Sequence, residues 1–503
     1  MLIPELYTLY KQHPTVTTDS RVCPPGSIFF ALKGESFDGN AFAEKALQSG
    51  CAYAIIDDST YYVDIPVSDT VTPSGAVTDD ASVCVDNRMI LVDDVLSTLQ
   101  QLACLHRKTL GIKVIGITGT NGKTTTKELT AAVLSKKYDT LFTQGNLNNH
   151  IGVPLTLLKL TKENEIAIIE MGANHPGEIR DLAIIAQPDF GLITNIGYAH
   201  LEGFGSFEGV VRTKGELYEY LREAGGKIFI NSNNELLTKI AGDLEQISYS
   251  ICTEAYRAGS DTIDNYPKAN DKKPLISGKV LNLHPYLSFK WQQDESGMQY
   301  PVETHLVGDY NLLNILAAIS IGVYFNVSPE QINDAIANYE PSNNRSQLFK
   351  TANNTLILDA YNANPSSMRA ALANFASLPE IYSEKSLEAQ SEKSLDTSPN
   401  SFPKKQPQTA LKPLPKAVIL GDMLELGEKS PELHDDIVRL AESSGIEKII
   451  LCGEQFSAVG KGHLCFPSVE VLCEFLKYNP LQGYHLLIKG SHGIHLENII
   501  KYL

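Results

Sequence analysis

Gly116-Ile-Thr-Gly119-Thr-Asn-Gly122-Lys123-Thr124-Thr125 stands where an apolar run, Lys113 to Thr118, gives way to a helical pattern. Glycines let backbone N–H groups close around phosphate oxygens, and a helix N-terminus adds positive potential. A lysine there reaches β- and γ-phosphates, and a threonine hydroxyl is offered to Mg²⁺. Gly119, Thr120, Asn121, Gly122, Lys123, Thr124 and Thr125 are therefore the expected phosphate-binding set. The spacing departs from the generic phosphate loop, which wants a glycine where Ile117 stands. An ordinary glycine-rich turn explains the glycines but not Gly-Lys-Thr-Thr.

Glu170 ends the apolar run Ile166 to Met171, and His200 follows the run Phe190 to Ile196. In a parallel sheet both lie beyond the carboxyl ends of their strands, on the edge where the phosphate loop opens. Glu oxygen, His nitrogen, the Thr124 hydroxyl and phosphate oxygens suit Mg²⁺ or Mn²⁺. Alone, a histidine after a strand is more often a structural hydrogen-bonder than a ligand; the loop and Glu170 on the same edge reverse that in favour of a metal. Lys214, on a helical stretch, reads on its own as an exposed lysine paired with Glu216 or Glu219. Asn146, Asn148 and Asn149, among glycines in 143–154, read as a loop shaped around a ligand or as solvent-facing turn formers.

The elements that would hold these residues alternate. Strands Ser27 to Leu32 and Ala52 to Ile56 and a helix Val92 to Arg107 form a first stretch, with a polar surface insertion at 59–83. Strands Lys113 to Thr118, Ile166 to Met171, Phe190 to Ile196 and Lys227 to Asn231, spaced by helical patterns, imply βαβ units and a parallel sheet. A polar, irregular stretch at 256–300 interrupts before a helix near Asn311. The alternation resumes with Thr355 to Ala360, Lys416 to Leu420, Lys448 to Cys452 and His485 to Lys489, in a second, smaller α/β unit. Within it, 383–415 carries two near-identical hexamers and a Pro- and Lys-rich tail too polar to bury, expected to be a disordered insertion. The expected domains are 1–108, 109–340 and 341–503.

Length agrees, since 503 residues correspond to roughly three domains. A net charge of −17 argues against a nucleic-acid-coating protein, which needs a surplus of Lys and Arg on a face. It leaves room for an anionic small molecule in a local nest. No apolar run approaches the ~20 residues of a membrane span, and Met1-Leu2-Ile3-Pro4-Glu5 lacks a signal pattern. The 8 cysteines form no C-x-x-C pair and are expected to be mostly small buried hydrophobes. A cytoplasmic protein, and a monomer, is the expectation.

The short form T-G-T-N-G-K-T resembles the Mur ligases, ATP-dependent amide-forming enzymes of peptidoglycan precursor synthesis, whose core folylpolyglutamate synthases share. Gly308-Asp-Tyr310-Asn311-Leu-Leu-Asn314 is similar to that family's G-x-H-N-x-x-N helix start, with Tyr310 in place of His. Asn344-Arg345 matches its Gly-Arg, and Leu358-Asp359-Ala-Tyr361-Asn362-Ala-Asn364-Pro365 carries the Y-N-A-N-P signature of the MurF type. Gly421-Asp422-Met-Leu-Glu425 and Lys489-Gly-Ser-His492-Gly continue the resemblance, with His492 where Arg is usual. Asp19-Ser20-Arg21 and Lys33-Gly34 resemble the uridine-nucleotide-binding domain of MurE and MurF.

The resemblance implies an α/β fold in three domains: a small mixed N-terminal domain, a central P-loop domain on a parallel sheet, and a Rossmann-like C-terminal ligase domain. It implies ATP and Mg²⁺, with Thr124, Glu170, His200 and an N-carbamylated Lys214 as metal ligands. Lys123, Arg345, Lys214 and His200 are then the catalytic set, and Asn311, Arg345 and Asp359 join the loop on the nucleotide. Ser20, Arg21, Lys33, Gly34, Asn148, Asn149, Tyr361, Asn362 and Asn364 become substrate contacts. The implied reaction joins D-alanyl-D-alanine to UDP-N-acetylmuramoyl-tripeptide through an acyl phosphate. A MurE-type enzyme adding the third amino acid, and a nucleotide-binding regulator without chemistry, are the alternatives.

Overall fold

The computed structural model describes residues 2–61, 64–66, 83–85, 87–252, 274–293, 297–341, 345–379 and 413–503. The repeated hexamers and most of the insertion at 59–83 therefore lie outside the described residues, as does Asn344. Within the described residues, three main sheets follow one another in chain order.

The first is a four-stranded parallel sheet in the order Val16–Thr17, Ile28–Phe30, Tyr53–Ile56, Met89–Leu91. Helix Val95–Leu110 leads out of it, capped by the Asp94 carboxylate accepting from the Ser97 N–H and ended at Gly111, φ 66°. Buried Arg107 ties this helix to the central sheet, donating to the Ala186 and Gln187 carbonyls and the Asp189 carboxylate.

The central sheet has nine strands in the order Thr140–Phe142, Ile166–Glu170, Lys113–Thr118, Phe190–Ile193, Lys227–Asn231, Glu245–Ile251, Ile276–Asn282, Ser288–Gln293, Gln299–Glu303. From Val114 onward the inner strands are buried and mostly apolar, as a sheet covered on both faces requires. Lys113–Thr118 sits between Ile166–Glu170 and Phe190–Ile193, so the chain reverses direction around it, the topological switch point where α/β sheets bind ligands. The last two strands pair antiparallel. Here the expectation of an irregular stretch at 256–300 is corrected for 274–293 and 297–300, while 256–273 and 294–296 lie outside the described residues: Phe289 and Trp291 point inward at every second residue, and that half-polar alternation is a strand signal. The sheet is parallel only as far as Ile276–Asn282.

The third sheet runs Gln347–Lys350, Thr355–Asp359, His485–Lys489, Lys416–Gly421, Lys448–Cys452, Leu464–Phe466, parallel but for its first pair. The cysteine expectation is also corrected: of Cys23, Cys51, Cys104, Cys252, Cys452, Cys465 and Cys473, all free thiols, Cys51 and Cys452 are buried and the others are partly exposed. No helix among the described residues is long and apolar enough to cross a membrane.

Candidate active site

A cleft of about 980 Å³ opens at the carboxyl ends of the central and third sheets and is lined by residues of both. Its floor is the phosphate loop. Gly122 takes φ 78° as the residue before helix Lys123–Leu134, and a Cβ there would stand 2.4 Å from Asn314 Oδ1. Gly119 is as constrained, since its Cβ would meet Thr194 Oγ1 at 2.0 Å. Asn195 braces the loop, its Oδ1 accepting from the Asn121 N–H and its Nδ2 donating to the Asn121 carbonyl. Lys123 Nζ folds back to donate to the Gly119 and Thr120 carbonyls at 2.7 and 3.2 Å. Burial lowers its pKa, the Glu170 charge opposes the shift and Arg345 reinforces it.

Glu170 lies 1% exposed at the end of its strand. Its Oε1 accepts from Thr124 Oγ1 at 3.2 Å and from Asn148 Nδ2 at 3.0 Å. Its Oε2 makes no hydrogen bond and has the Lys127 ammonium at 3.5 Å, within ion-pair reach. The Lys127 ammonium supplies the positive charge that a buried carboxylate oxygen without a hydrogen bond needs. Oxygen donors from Thr124 and Glu170 with the nearby His200 imidazole are a set that fits Mg²⁺ or Mn²⁺.

His200 adopts a left-handed backbone, φ 50°, and its Nδ1 contacts the Glu425 carboxylate of the third-sheet half. That bond holds Glu425 below the usual carboxylate range. Across the cleft the Arg345 guanidinium lies 3.8 Å over the Tyr361 ring, which stacks in turn on His492 at 5.4 Å and 22°. Asp359 is ion-paired at 2.6 Å with Lys489, itself 1% exposed and also donating to the Asn362 carbonyl.

The structure thus brings Thr120, Asn121, Gly122, Lys123, Thr124, Thr125, Asn148, Asn149, Glu170, His200, Asn311, Arg345, Asp359, Tyr361 and Asn362 onto one cleft. Several are committed to the fold within it. Asn149 Oδ1 accepts from the Gly152 N–H, and Asn311 donates to the Val307 carbonyl while accepting from Asn314. Asn364 caps helix Pro365–Ser377 and donates to Asn121 Oδ1 at 2.7 Å, a bond between the two halves. Tyr310 bonds Ser346 at 2.8 Å. Ser20, Arg21, Lys33 and Gly34 do not line the cleft; Arg21 is spent on Asp19 and Lys33 on Asp57.

The exposed-lysine alternative for Lys214 is overturned. Lys214 is 2% exposed, its Nζ facing the Ala173 carbonyl at 3.4 Å and the Phe204 ring at 5.4 Å. Burial pushes its pKa down to about 7. Glu216 is occupied instead by the Gly177 and Arg180 N–H groups. Sequence reasoning missed Lys127, whose spacing of one helical turn from Lys123 was the available signal. It quoted Asn314, Glu425 and Lys489 without a role.

Comparison with known proteins matches residues 117–322 to the Mur ligase middle domain and 14–107 to the Mur ligase family, catalytic domain. The UDP-N-acetylmuramoyl-tripeptide--D-alanyl-D-alanine ligase of Bacillus subtilis (strain 168) is 32% identical, covering 97% of this chain and 92% of the relative. That of Escherichia coli (strain K12) is 30% identical over 97% and 93%. A crystal structure of MurF from Acinetobacter baumannii superposes with TM-score 0.73 at 27% identity, covering 97% of this chain and 92% of that one. MurF from Thermotoga maritima in complex with ADP shares the fold at TM-score 0.71 and 22% identity, over 97% and 96%.

Proposed function

The chain belongs to the Mur ligase family, and from that premise we propose how its residues carry out the reaction named for its relatives. The protein is an ATP-dependent ligase that joins D-alanyl-D-alanine to UDP-N-acetylmuramoyl-tripeptide, releasing ADP and phosphate. The observation that carries the assignment of roles is Glu170, where the phosphate-loop Thr124 and the ligand-loop Asn148 converge on one carboxylate oxygen.

A carboxylate is a poor electrophile. Its oxygen therefore attacks the γ-phosphorus of ATP, the bond to ADP breaks, and phosphate becomes the leaving group of the acyl phosphate. The dipeptide amine then attacks the acyl carbon, loses a proton and expels phosphate. Lys123 and Arg345 stabilise charge on the transferring phosphoryl group, the arginine by swinging from the Tyr361 face. Thr124, Glu170 and His200 would hold Mg²⁺, with Nδ1 of His200 oriented by Glu425 and Nε2 left to ligate. The cation supplies charge neutralisation at the phosphates.

Lys214, about half neutral at pH 7, supplies the free amine that takes up CO₂ as a carbamate, converting a cation into an anion behind the cleft wall. Asn311 and Asp359 serve the nucleotide, and Asn148, Asn149, Tyr361, Asn362 and Asn364 the acceptor side. The segment 1–108, with Ser20, Arg21, Lys33 and Gly34, takes the UDP end; 109–340 acts as the ATPase and 341–503 closes on it. The cytoplasm, where these nucleotide substrates occur, is the proposed location.

Phosphate release that requires UDP-tripeptide and D-alanyl-D-alanine together tests the reading. Release equal to the ATP-alone background would refute it, and release with a free amino acid in place of the dipeptide would support the MurE-type alternative.

A further inference from the structure

Beyond the cleft, His492, His495 and Glu497 each offer a ligand atom within 4.8 Å of the others, the imidazoles exposed and the carboxylate half-buried. The local chain builds this grouping. His492–Ile494 is a single 3₁₀ turn, closed by the His495 N–H donating to the His492 carbonyl at 2.9 Å. The turn is short enough that a ligand atom of each imidazole stays within 4.8 Å of the other. His495 then turns left-handed, φ 56°, and returns Glu497, whose Oε1 lies 3.2 Å from His495 Nδ1. Glu497 Oε2 is buried and makes no hydrogen bond.

The two imidazole rings stand 5.3 Å apart at 66°, and the His492 ring is fixed from behind by Tyr361. Glu470, on helix Val469–Tyr478, lies within electrostatic reach of His495 and adds negative potential. We propose that His492, His495 and Glu497 bind a divalent transition cation of the Zn²⁺ class, at the rim of the cleft. Two imidazole nitrogens and one carboxylate suit Zn²⁺, Co²⁺ or Ni²⁺ and leave a position for water. They serve Mg²⁺ poorly, which prefers oxygen ligands and keeps its own waters. The site meets the cleft through the His492–Tyr361 stack, one ring away from Arg345. It is independent of the ligase assignment.

The full chain, stripped by chelator, is titrated with Zn²⁺ by calorimetry in excess Mg²⁺, which takes the oxygen-rich end of the cleft. One Zn²⁺ per chain is expected, and His495→Ala and Glu497→Gln should each weaken it by at least about tenfold. Both variants keep every cysteine, so unchanged affinity in them, or no uptake by the wild type, overturns the proposal. Co²⁺ in the wild-type chain gives a reading that needs no variant. Visible d–d bands without thiolate charge transfer are expected, and a charge-transfer band at one equivalent would overturn it.

Discussion

His200 and Glu425 meet across the cleft, imidazole Nδ1 against carboxylate, although one follows a strand of the central sheet and the other a strand of the third. Both are non-glycine residues in the left-handed region, φ 50° and 61°. Such backbones cost about 1–2 kcal/mol each and persist where the surroundings impose them. The Glu202 N–H donating to the Glu425 carbonyl is part of that imposition. The pair therefore does two things: it joins the halves of the cleft, and it occupies Nδ1 of His200, which leaves Nε2 for the proposed cation.

Glu425→Gln should lower kcat by about 10–100-fold, the usual cost of losing a carboxylate behind a ligating histidine. The Mg²⁺ concentration for half-maximal rate should rise, while the melting temperature moves little because Glu425 is exposed at the cleft edge. Steady-state phosphate release at varied Mg²⁺ measures both. An unchanged Mg²⁺ requirement would leave the contact as a domain clasp alone.

Lys123→Ala should reduce turnover by at least about 10²–10³-fold, since it removes a preorganised cation from the transferring phosphoryl group. Its ammonium bonds the Gly119 and Thr120 carbonyls of its own loop. Stability should therefore change by about 1 kcal/mol or less. Denaturant unfolding alongside the phosphate assay separates the two effects; turnover near wild type would remove the phosphate-loop assignment.

The strand-to-helix turn at the floor of the cleft was legible because it is local: Gly122, Lys123 and Thr124 are neighbours in the chain, and strand Lys113–Thr118 is buried from Val114 onward. Glu170 and His200 were legible from the parallel-sheet rule, which places strand ends on one edge. What escaped is non-local. Nothing near Glu425 in the chain says that it meets His200, 225 positions away. Lys214 read as exposed because a lone lysine on a helix gives no sign of burial; only the packing of Phe204 and Ala173 over it does. Strands 276–282, 288–293 and 299–303 were lost because polar residues on one face diluted an alternating pattern.

Gly122→Ala should weaken ATP binding more than it weakens the fold. The added Cβ falls 2.4 Å from Asn314 Oδ1, which also accepts from Thr126 Oγ1, while Asn314 Nδ2 donates to Asn311. Displacing Asn314 disturbs the loop and the nucleotide-side asparagine together, on top of about 1–2 kcal/mol for a left-handed alanine. Isothermal titration with ATP should show at least about a tenfold loss; equal affinity would mean that Asn314 yields freely and does not brace the loop.

Lys214→Met should stabilise the protein at pH 6 and abolish turnover. Lys214 holds its proton only to about pH 7 in the folded chain, against 10.5 in the unfolded one. Between those values the unfolded chain binds more protons, so wild-type stability rises with pH across that window, by up to about 1.4 kcal/mol per pH unit, and is flat below it. Below pH 7 the whole cost of burying the cation is present. Methionine fills the same space without that cost, so its advantage should be largest at pH 6, on the order of a few kcal/mol, and shrink towards pH 10. Urea unfolding in CO₂-free buffer at both pH values measures the difference. Equal pH slopes in the two proteins would show that Lys214 is not the titrating group. A stabilised but inactive variant would mean that the buried amine is kept at the expense of stability for its chemistry.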